Sequence, residues 1–329
     1  MKIFVTGATG FIGKCLVEFM SKQGHDISCF VRKTSNISSL KKLNVKFVYG
    51  DILDKKTIEK AIVDNEIIIH LVGIQSFSEY SKKLYDSLYE TNVLGLKNLL
   101  DAVVFRKPKN LKKIVFLSST AAVGLTNGKV DEMVKCKPLS AYQKTKYEGE
   151  KLCLDYVEKY GLPIVILRPS MIYGTKDDHS QIQKMVSFVR KGFFPVIGNG
   201  ENNVPMIYID DAVRGITMGA LKGKSGNIYY ITNDKKTTMN GLVDIIGKKL
   251  NRNVVKIKVP VFIAYIGAAV FELIYRFVGK RFSMSRRRIL SMSSNRIFDI
   301  SKAKNELDFS QKVSVSEGIS KAIEIYGVK

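Results

Sequence analysis

The sequence predicts an α/β fold, a doubly wound parallel sheet with a smaller mixed lobe in the C-terminal half. Short apolar runs of strand-like composition alternate with segments of helical periodicity. Several runs are apolar on both alternating faces, as strands covered by helices on each side must be. These runs lie at residues 2–6, 26–31, 46–49, 65–72, 114–118 and 163–168.

The regular alternation of strands and helices loosens after Pro169. The pattern there predicts a helix over 177–192, a turn around Gly198 and Gly200, and a strand over 204–208. The second half of the chain is therefore expected to be mixed in structure.

The chain is expected to form one compact unit with two parts. A chain of 329 residues can bury a substantial core, and no low-complexity tract interrupts it. Ligands of parallel sheets bind at the carboxyl ends of the strands, so residues after about 170 are placed to close over a substrate. We expect a sheet domain over 1–175 and a substrate-binding lobe over 176–329 that is partly interleaved with it.

The composition favours a reducing compartment and predicts no metal site. The four cysteines are scattered without a CxxC pair, and the chain has only three histidines. The sequence begins directly with a strand-like run at Lys2 and has no charged leader before a long apolar stretch. We therefore expect no cleaved signal peptide and a cytoplasmic location.

The formal net charge of +23 is the most unusual feature of the composition. Such a charge attracts nucleic acid or an anionic membrane face, or it reflects a lysine-rich proteome. The lysines are spread through nearly every helical segment and form no stripe studded with aromatic residues. We therefore expect no nucleic-acid partner.

A glycine-rich turn joins the first strand to the first helical segment, with the spacing GxxGxxG. Gly7 permits a tight turn, and Gly10 lets backbone N–H groups approach a pyrophosphate at the positive end of the helix. Gly13 lets the helix pack close to the strand. The turn predicts a Rossmann-type dinucleotide site with contacts from Gly7, Thr9, Gly10, Phe11, Ile12 and Gly13.

Two cationic residues, Arg32 and Lys33, follow the second predicted strand. An acidic residue about twenty positions after the glycine turn would bind the ribose 2′-hydroxyl of NAD, and none stands here. A cationic pair suits the 2′-phosphate of NADP, although both residues would also be at home on a solvated surface. The sequence favours NADP over NAD.

Tyr142 and Lys146 lie four residues apart in a stretch that begins with the capping-type Ser140 and is predicted to be helical. They share one helix face. An ammonium and an oxidised nicotinamide near the phenol would bring its high pKa towards the operating pH for acid–base chemistry. The alternative is a solvated basic helix face, which the glycine turn makes less attractive.

Ser119 lies just past the strand predicted over 114–118, where the carboxyl ends of strands converge. Its hydroxyl could hold a reacting oxygen and stabilise developing charge. Ser118 and Thr120 are alternatives for the same role.

Taken together, these motifs resemble the extended short-chain dehydrogenase/reductase family, in its NAD-dependent epimerase/dehydratase group. The resemblance covers about residues 1–220, and three shorter matches extend it nearly to the C-terminus. The matching positions are the turn at 6–13, Asp51 with Ile52, Asn92, Ser119, Tyr142 with Lys146, and 168–174.

The resemblance implies further cofactor contacts. In the family, the segment matching 50–52 contacts the adenine, and the segment matching 70–73 lies along the cofactor. The contacts implied beyond the glycine turn come from Asp51, Ile52, Leu71, Val72, Gly73, Tyr142, Lys146, Pro169 and Ile172.

The resemblance also implies a hydride-transferring oxidoreductase or epimerase that acts on a hydroxyl or carbonyl group of a small molecule, such as a nucleotide sugar. Tyr142 would be the general acid/base, and Lys146 would lower its pKa and hold the nicotinamide ribose. Ser119 would bind the reacting oxygen, and Asn92 would support the array. Homodimers through helices near 80–105 and 140–160 are common in the family.

Three departures bear on the activity. Thr120 is followed by two alanines where sugar-nucleotide 4,6-dehydratases carry an acidic pair, so dehydration is disfavoured. The segment 202–206 lacks the Arg that many sugar-nucleotide epimerases present to a diphosphate. Segments 70–74 and 204–208 are more similar to the non-catalytic dinucleotide-binding subunit of respiratory complex I. The alternative function is therefore a non-catalytic module that holds NADP(H).

The segment 259–279 is unusually apolar and predicts a helix that starts at Pro260 and ends near Gly279. Glu272 and Arg276 interrupt it and could pair, so the uncharged run is too short to span a bilayer. We favour a helix packed in the core of the lobe. The alternative is peripheral membrane contact through 260–288, aided by basic residues after the helix.

Overall fold

The structure is a computed structural model that describes residues 1–76, 81–175, 181–278 and 285–326, without the side chains of 275–278 and 325–326. The strands are β1 (Lys2–Thr6), β2 (Asp26–Val31), β3 (Lys46–Tyr49), β4 (Ile67–His70), β5 (Lys113–Leu117), β6 (Gly128–Val130), β7 (Ile164–Pro169), β8 (Met171–Tyr173), β9 (Phe193–Ile197), β10 (Met206–Tyr208), β11 (Ile228–Ile231), β12 (Val255–Val259) and β13 (Arg296–Phe298).

Helices alternate with most of the strands in the first half of the chain, and β3 follows β2 directly. The helices are α1 (Phe11–Lys22), α2 (Lys55–Ala61), α3 (Lys82–Tyr89), α4 (Gly95–Arg106), α5 (Ala141–Tyr160), α6 (Gln181–Arg190), α7 (Ile209–Lys222), α8 (Met239–Lys249), α9 (Val261–Val278), α10 (Arg286–Ser293), α11 (Ser301–Leu307) and α12 (Val315–Tyr326). A π-helical turn, Glu90–Leu94, joins α3 to α4, and a 3-10 helix, Thr120–Val123, follows β5.

The central sheet has seven parallel strands in the order β11-β7-β5-β4-β1-β2-β3. The order reverses at β1 and β4, which is the position where ligands bind in doubly wound sheets. The six strands predicted in the first half of the chain are confirmed, and β11 adds a seventh from the second half. The predicted boundary at residue 175 stays a prediction.

Helices cover both faces of the sheet and bury a separate apolar cluster on each. One cluster takes in α1 and α7, with Leu16 and Ile216 fully buried. The other takes in α2, α4 and α5, with Leu99 and Cys153 fully buried. Strands enclosed in this way have no solvated face, which explains why residues such as Ile68 alternate with equally apolar neighbours.

The C-terminal half is mixed, as predicted. Three two-stranded parallel pairs, β8 with β10, β9 with β12 and β6 with β13, lie outside the main sheet. Within the predicted helix over 177–192, the structure has α6 from Gln181 to Arg190, and residues 177–180 lie outside the described residues. The predicted strand over 204–208 is shorter, and the backbone φ is positive at Gly198 and Gly200.

The apolar helix α9 forms at the predicted place, but the expectation that it packs in the core is wrong. Most of its large apolar side chains are exposed, and Ala268 is its one buried residue among those whose side chains are described. Glu272 pairs with Arg286 of α10, at 2.6 Å between carboxylate oxygen and Nε. The side chain of Arg276, the predicted partner, lies outside the described residues. None of the described helices meets the length and apolarity needed to cross a membrane.

Candidate active site

The glycine turn between β1 and α1 is shaped by close backbone contacts. Gly7 has a φ of +77°, and a Cβ at this residue would lie 2.9 Å from the Leu71 carbonyl carbon and the Val72 nitrogen. A Cβ at Gly13 would overlap the carbonyl oxygen of Gly7. Only glycine therefore allows the turn, helix α1 and the end of β4 to pack this closely.

The N-terminus of α1 has the features of an anion site. Gly10 precedes the helix in extended conformation, and no side chain caps the first N–H groups. These N–H groups carry the positive end of the helix dipole, where a pyrophosphate is stabilised. Phe11 begins the helix and approaches Gly174, which follows β8. Ile12 packs against the core beneath, and Thr9 is half-buried in the turn.

The residues expected to contact the adenine and the 2′-position lie at the ends of β2 and β3. Arg32 and Lys33 are both exposed directly after β2. Asp51 accepts a hydrogen bond from the Leu53 nitrogen at 3.0 Å. Ile52 is buried, and its carbonyl accepts from the Asn98 amide at 3.1 Å.

Helix α5 carries Tyr142 and Lys146 and is fixed at its start by a capping box. The Ser140 hydroxyl accepts from the Gln143 nitrogen at 3.2 Å, and the Gln143 side chain accepts from the Ser140 nitrogen at 3.1 Å. Two N–H groups at the helix start are thereby satisfied. The helical prediction for this stretch is confirmed, and Lys146 reaches the end of β5.

Lys146 is buried at the carboxyl end of β5. Its Nζ donates to the Leu117 carbonyl at 2.8 Å and lies 5.2 Å from the centroid of the Phe116 ring. A Cβ at Gly73 would lie 3.1 Å from the same Nζ, so this glycine leaves space for the ammonium. Burial lowers the pKa of Lys146 to about 8, and the Glu150 carboxylate opposes the shift.

The side chains of Tyr142 and Ser119 lie beside each other at the end of β5. Burial raises the pKa of Tyr142 to about 12, and the neighbouring Ser119 acts in the opposite direction. Desolvation of the phenol is the largest influence on this pKa, and the role of Lys146 in lowering it stays a prediction. Tyr142 also packs against Leu84 and Leu88 of α3.

Asn92 is buried and forms hydrogen bonds to both the loop after Gly73 and helix α5. Its side-chain oxygen accepts from the Ile74 nitrogen at 2.8 Å, and its amide donates to the Ile74 carbonyl at 3.0 Å. The same amide donates to the Thr145 hydroxyl at 3.1 Å, and Thr145 bonds to the Tyr142 carbonyl at 3.0 Å. Asn92 therefore ties the loop after Gly73 to the turn of α5 that carries Tyr142.

Three hydroxyl residues follow β5: Ser118, Ser119 and Thr120. The two serines differ in the hydrogen-bond partners of their hydroxyl groups. The Ser118 hydroxyl donates to Glu150 at 2.5 Å, so it is engaged behind the site. Ser119 is the N-cap of the 3-10 helix, where its hydroxyl accepts from the Ala121 nitrogen at 3.1 Å. Thr120 is buried.

Sequence reasoning missed a buried ion pair beneath the site. Glu150 lies one turn after Lys146 on α5 and accepts two hydrogen bonds from Arg168, Nε at 2.9 Å and Nη2 at 2.8 Å. Arg168 also donates to the Tyr230 hydroxyl at 3.2 Å. A cation inside an otherwise apolar strand was the available signal, since buried charges need partners.

Sequence reasoning placed His70 in the segment along the cofactor but gave its side chain no role of its own. This fully buried side chain ends β4, and its Nδ1 lies 2.8 Å from the Thr6 hydroxyl. Burial and the nearby Lys146 lower its pKa to about 3, so the ring is neutral. A lone polar residue in the run 67–72 could have marked it.

The site therefore combines a dinucleotide-type glycine turn with a Ser–Tyr–Lys group at the carboxyl ends of β4, β5 and β7. Pro169 ends β7, and Ile172 pairs with Ile207 in the small sheet beside it. No group of three His, Cys, Asp or Glu residues within the described parts of the chain could hold a metal ion. This arrangement defines an α/β protein built to bind a dinucleotide beside acid–base groups.

Comparison with known proteins agrees with this class. The model of the NAD dependent epimerase/dehydratase family matches residues 3–232. The chain therefore belongs to this family, as the sequence motifs indicated, and it is an enzyme of that family.

Two curated relatives and one solved structure illustrate the similarity. The 2-alkyl-3-oxoalkanoate reductase of Shewanella oneidensis is 29% identical over 336 residues, covering 97% of this chain and 84% of the relative. The N-acetyl-alpha-D-glucosaminyl-diphospho-ditrans,octacis-undecaprenol 4-epimerase of Escherichia coli is 24% identical, covering 98% and 94%. The UDP-glucuronic acid 4-epimerase of Bacillus cereus, solved with UDP-glucuronic acid and NAD, is 25% identical with a TM-score of 0.79 and 99% coverage of each chain.

Proposed function

We propose that the protein oxidises or reduces a secondary alcohol or ketone carbon of a small molecule, as an oxidoreductase or epimerase. The observation that carries this proposal is that Tyr142, Ser119 and the buried Lys146 lie together at the strand ends that also hold the glycine turn. A bound nicotinamide dinucleotide would supply or accept the hydride. The comparisons give no support to the non-catalytic alternative.

The chain's own residues have distinct roles in this proposal. Tyr142 gives a proton to the substrate oxygen during reduction and takes it back during oxidation. Ser119 binds the same oxygen, and the positive charge of Lys146 stabilises the phenolate when Tyr142 has lost its proton. Asn92 is a positioning residue, because its bonds hold the backbone on both sides of the group.

Steady-state kinetics of Tyr142→Phe test the function. We expect kcat to fall by about 10²- to 10⁴-fold with little change in cofactor affinity, since the phenol acts in proton transfer. Tyr147→Phe, one residue outside the Tyr142/Lys146 pair on the same helix, is the matched control and should keep normal turnover. Normal turnover in Tyr142→Phe would refute the assignment.

We further propose that NADP is the preferred cofactor, held at its 2′-phosphate by Arg32 and Lys33. Both side chains are exposed directly after β2, and no acid stands there to bind a ribose 2′-hydroxyl. The double variant Arg32→Ala/Lys33→Ala should bind NADP about tenfold or more weakly and leave NAD binding unchanged, because each bond to a charged group contributes about 1.5–3 kcal/mol. Equal losses for both cofactors would remove the preference.

We propose that the substrate carries an anionic group such as a diphosphate. Arg296 supports this: its Nη1 donates to the Gly124 carbonyl at 3.2 Å, beyond the 3-10 helix that starts after Ser119. Its Nε has no hydrogen-bond partner among the described residues, and burial lowers its pKa. Arg296 also adjoins the segment 202–206, because its carbonyl accepts from the Asn203 amide at 2.7 Å. Arg296→Met should raise KM for such a substrate more than it lowers kcat.

Two of the related proteins are described with substrates or ligands of this kind. The Escherichia coli relative is named for a sugar joined through a diphosphate to undecaprenol, and the Bacillus cereus structure contains UDP-glucuronic acid. We infer that a sugar diphosphate, carried by a nucleoside or a lipid, is the class to screen first.

We propose a homodimer through α4 and α5. Phe105 on α4 and Leu154 and Tyr160 on α5 are exposed apolar side chains, which supports an interface there. Light scattering of the purified protein tests the proposal, and a monomer at micromolar concentration would contradict it.

We also propose that the protein is cytoplasmic and contacts a membrane peripherally through 260–288. Cell fractionation would test this location.

A further inference from the structure

Helix α9 presents a continuous apolar surface to solvent. Its large exposed side chains, here called the α9 outer face, are Phe262, Ile263, Tyr265, Ile266, Val270, Phe271, Leu273 and Ile274. Exposed apolar side chains are ordinary when scattered singly, but eight on one helix form a patch that marks an interaction site.

The outer face is a helical stripe and not a random scatter. With 3.6 residues per turn, six of its members fall within about one third of the helix circumference. The opposite side carries the buried Ala268 and the half-buried Glu272, which holds α10 through Arg286. The usual polarity of a surface helix is therefore reversed, with the apolar side facing outward.

The stretch of sequence that contains α9 is strongly basic. Residues 245–298 contain twelve Lys and Arg residues and a single acid, Glu272. This stretch therefore contributes a net charge of +11, nearly half of the +23 of the whole chain. That single acid is already paired with Arg286.

The outer face is mechanically linked to the active site. Arg286 of α10 donates to Glu272 of α9 through its backbone nitrogen at 2.7 Å and through Nε at 2.6 Å. The next residue, Arg287, donates to the Leu139 carbonyl at 3.1 Å. Leu139 immediately precedes the capping box of α5 and lies three residues before Tyr142. Helix α10 therefore joins α9 to the start of the catalytic helix.

We propose that the α9 outer face docks on an anionic lipid bilayer, with α9 lying in the interface and the basic residues around it contacting lipid headgroups. The inference rests on the proposed membrane contact and names its partner, and it does not depend on catalysis. Apolar burial and charge attraction together give stable binding, where either alone gives a marginal one. A second copy of the chain fits this face less well, because pairing it would bring two basic segments together.

Docking through α9 would place the active site near the membrane surface. Docking through α9 holds the start of α5 close to the bilayer surface through α10. An amphiphilic substrate whose apolar carrier remains in the bilayer could then reach Tyr142 without leaving the lipid.

A single tryptophan tests the docking directly, because the chain contains none. The test variant is Phe262→Trp, at a side chain that is 65% exposed on α9. The control is Tyr49→Trp, at a side chain that is 50% exposed on β3. Full-length variants are mixed with phosphatidylglycerol/phosphatidylcholine vesicles or with phosphatidylcholine vesicles. We expect the emission of Phe262→Trp to move to shorter wavelength, and to be quenched by brominated lipid, with the anionic vesicles only. The control emission should not change.

A second measurement separates the apolar contribution from charge and from self-association. In vesicle flotation, Ile266→Gln/Val270→Gln should bind the anionic vesicles at least about tenfold more weakly than wild type, since two apolar side chains no longer enter the lipid. Tyr142→Phe should float like wild type, which keeps failure of docking distinct from failure of the catalytic proposal. Unchanged emission of Phe262→Trp with anionic vesicles would overturn the proposal. It would also be overturned if the wild type did not bind vesicles and formed a dimer that Ile266→Gln/Val270→Gln converts to a monomer.

Discussion

The strand ends around Lys146 and the outer face of α9 reverse the usual distribution of side chains in opposite ways. At the strand ends, charged groups are buried, and Glu150, Arg168 and Lys146 find protein partners within 3 Å. On α9, apolar groups are exposed in the described structure. Folding alone pairs the charges of the first region, whereas we have proposed a lipid surface as the partner of the second.

The difference teaches where each kind of function resides. Buried charges cost several kcal/mol unless they are paired, so they persist where the chemistry depends on fixed electrostatics. Exposed apolar surface costs little in stability and marks association. Substitutions in the two regions should therefore separate: the first affects folding and turnover, the second affects binding to a partner.

The largest expected effect is on stability, from Glu150→Gln. This change leaves the buried Arg168 guanidinium without a compensating charge, and we expect the free energy of unfolding to fall by about 3–5 kcal/mol. The measurement is urea unfolding followed by circular dichroism. Asp26→Asn, which breaks the exposed pair with Lys46, is the control and should change stability by less than about 0.5 kcal/mol. Equal effects of the two variants would contradict the contrast drawn above.

The next effect is on cofactor affinity, from Gly13→Ala. The added Cβ would lie 2.7 Å from the Ala8 Cα, so the start of α1 must move away from the turn. We expect the Kd for NADP to rise at least about tenfold, equivalent to about 1.4 kcal/mol. Calorimetric titration measures it. Gly267→Ala on α9 has open space around the new methyl group and should bind like wild type. A Gly13→Ala protein with unchanged affinity would count against the site.

A pH dependence should follow from Lys146. Its pKa of about 8 lies below the ordinary 10.5, so the ammonium is charged below about pH 8 and loses its proton as the pH rises. We expect kcat/KM to decrease above about pH 8, and Lys146→Arg to lose this decrease because arginine stays protonated. For stability the sign is opposite: the desolvated charge destabilises the fold below about pH 8, and the penalty is relieved between 8 and 10.5. A pH–rate profile that is flat through 8 would contradict this assignment.

The smallest expected effect is that of α9 substitutions on folding. Ile266→Gln/Val270→Gln changes side chains that are already in water, so the free energy of unfolding should change by less than about 0.5 kcal/mol. The same urea titration measures it. A loss of more than 2 kcal/mol would mean that these side chains are covered in the folded protein and would erase the difference between the two regions.

The sequence predicted the sheet well because burial on both faces leaves a direct signature. Ile67 to Ile69 are apolar in succession, and the strand they predict forms at β4. The glycine turn was equally predictable, because close backbone contacts at Gly7 and Gly13 leave no room for a Cβ. The spacing of Tyr142 and Lys146 predicted that they share one helix face, and the glycine turn made a functional pair the favoured interpretation.

The remaining features depend on contacts between distant residues. Glu150 and Arg168 lie on different elements, and nothing in their spacing shows that they pair. Helical periodicity showed that α9 exists but not which side is covered, so the core prediction for it was wrong. The pKa of Tyr142 depends on how much water the fold removes from the phenol, which sequence patterns do not report.

The most direct test of the account is whether the purified protein binds a nicotinamide dinucleotide. The N-terminus of α1 and the turn at Gly7 to Gly13 should hold the pyrophosphate, so titration with NADP and NAD by calorimetry should show saturable binding at one site per chain, tighter for NADP. The absence of saturable binding for both dinucleotides, oxidised or reduced, would contradict the site and every function proposed for it.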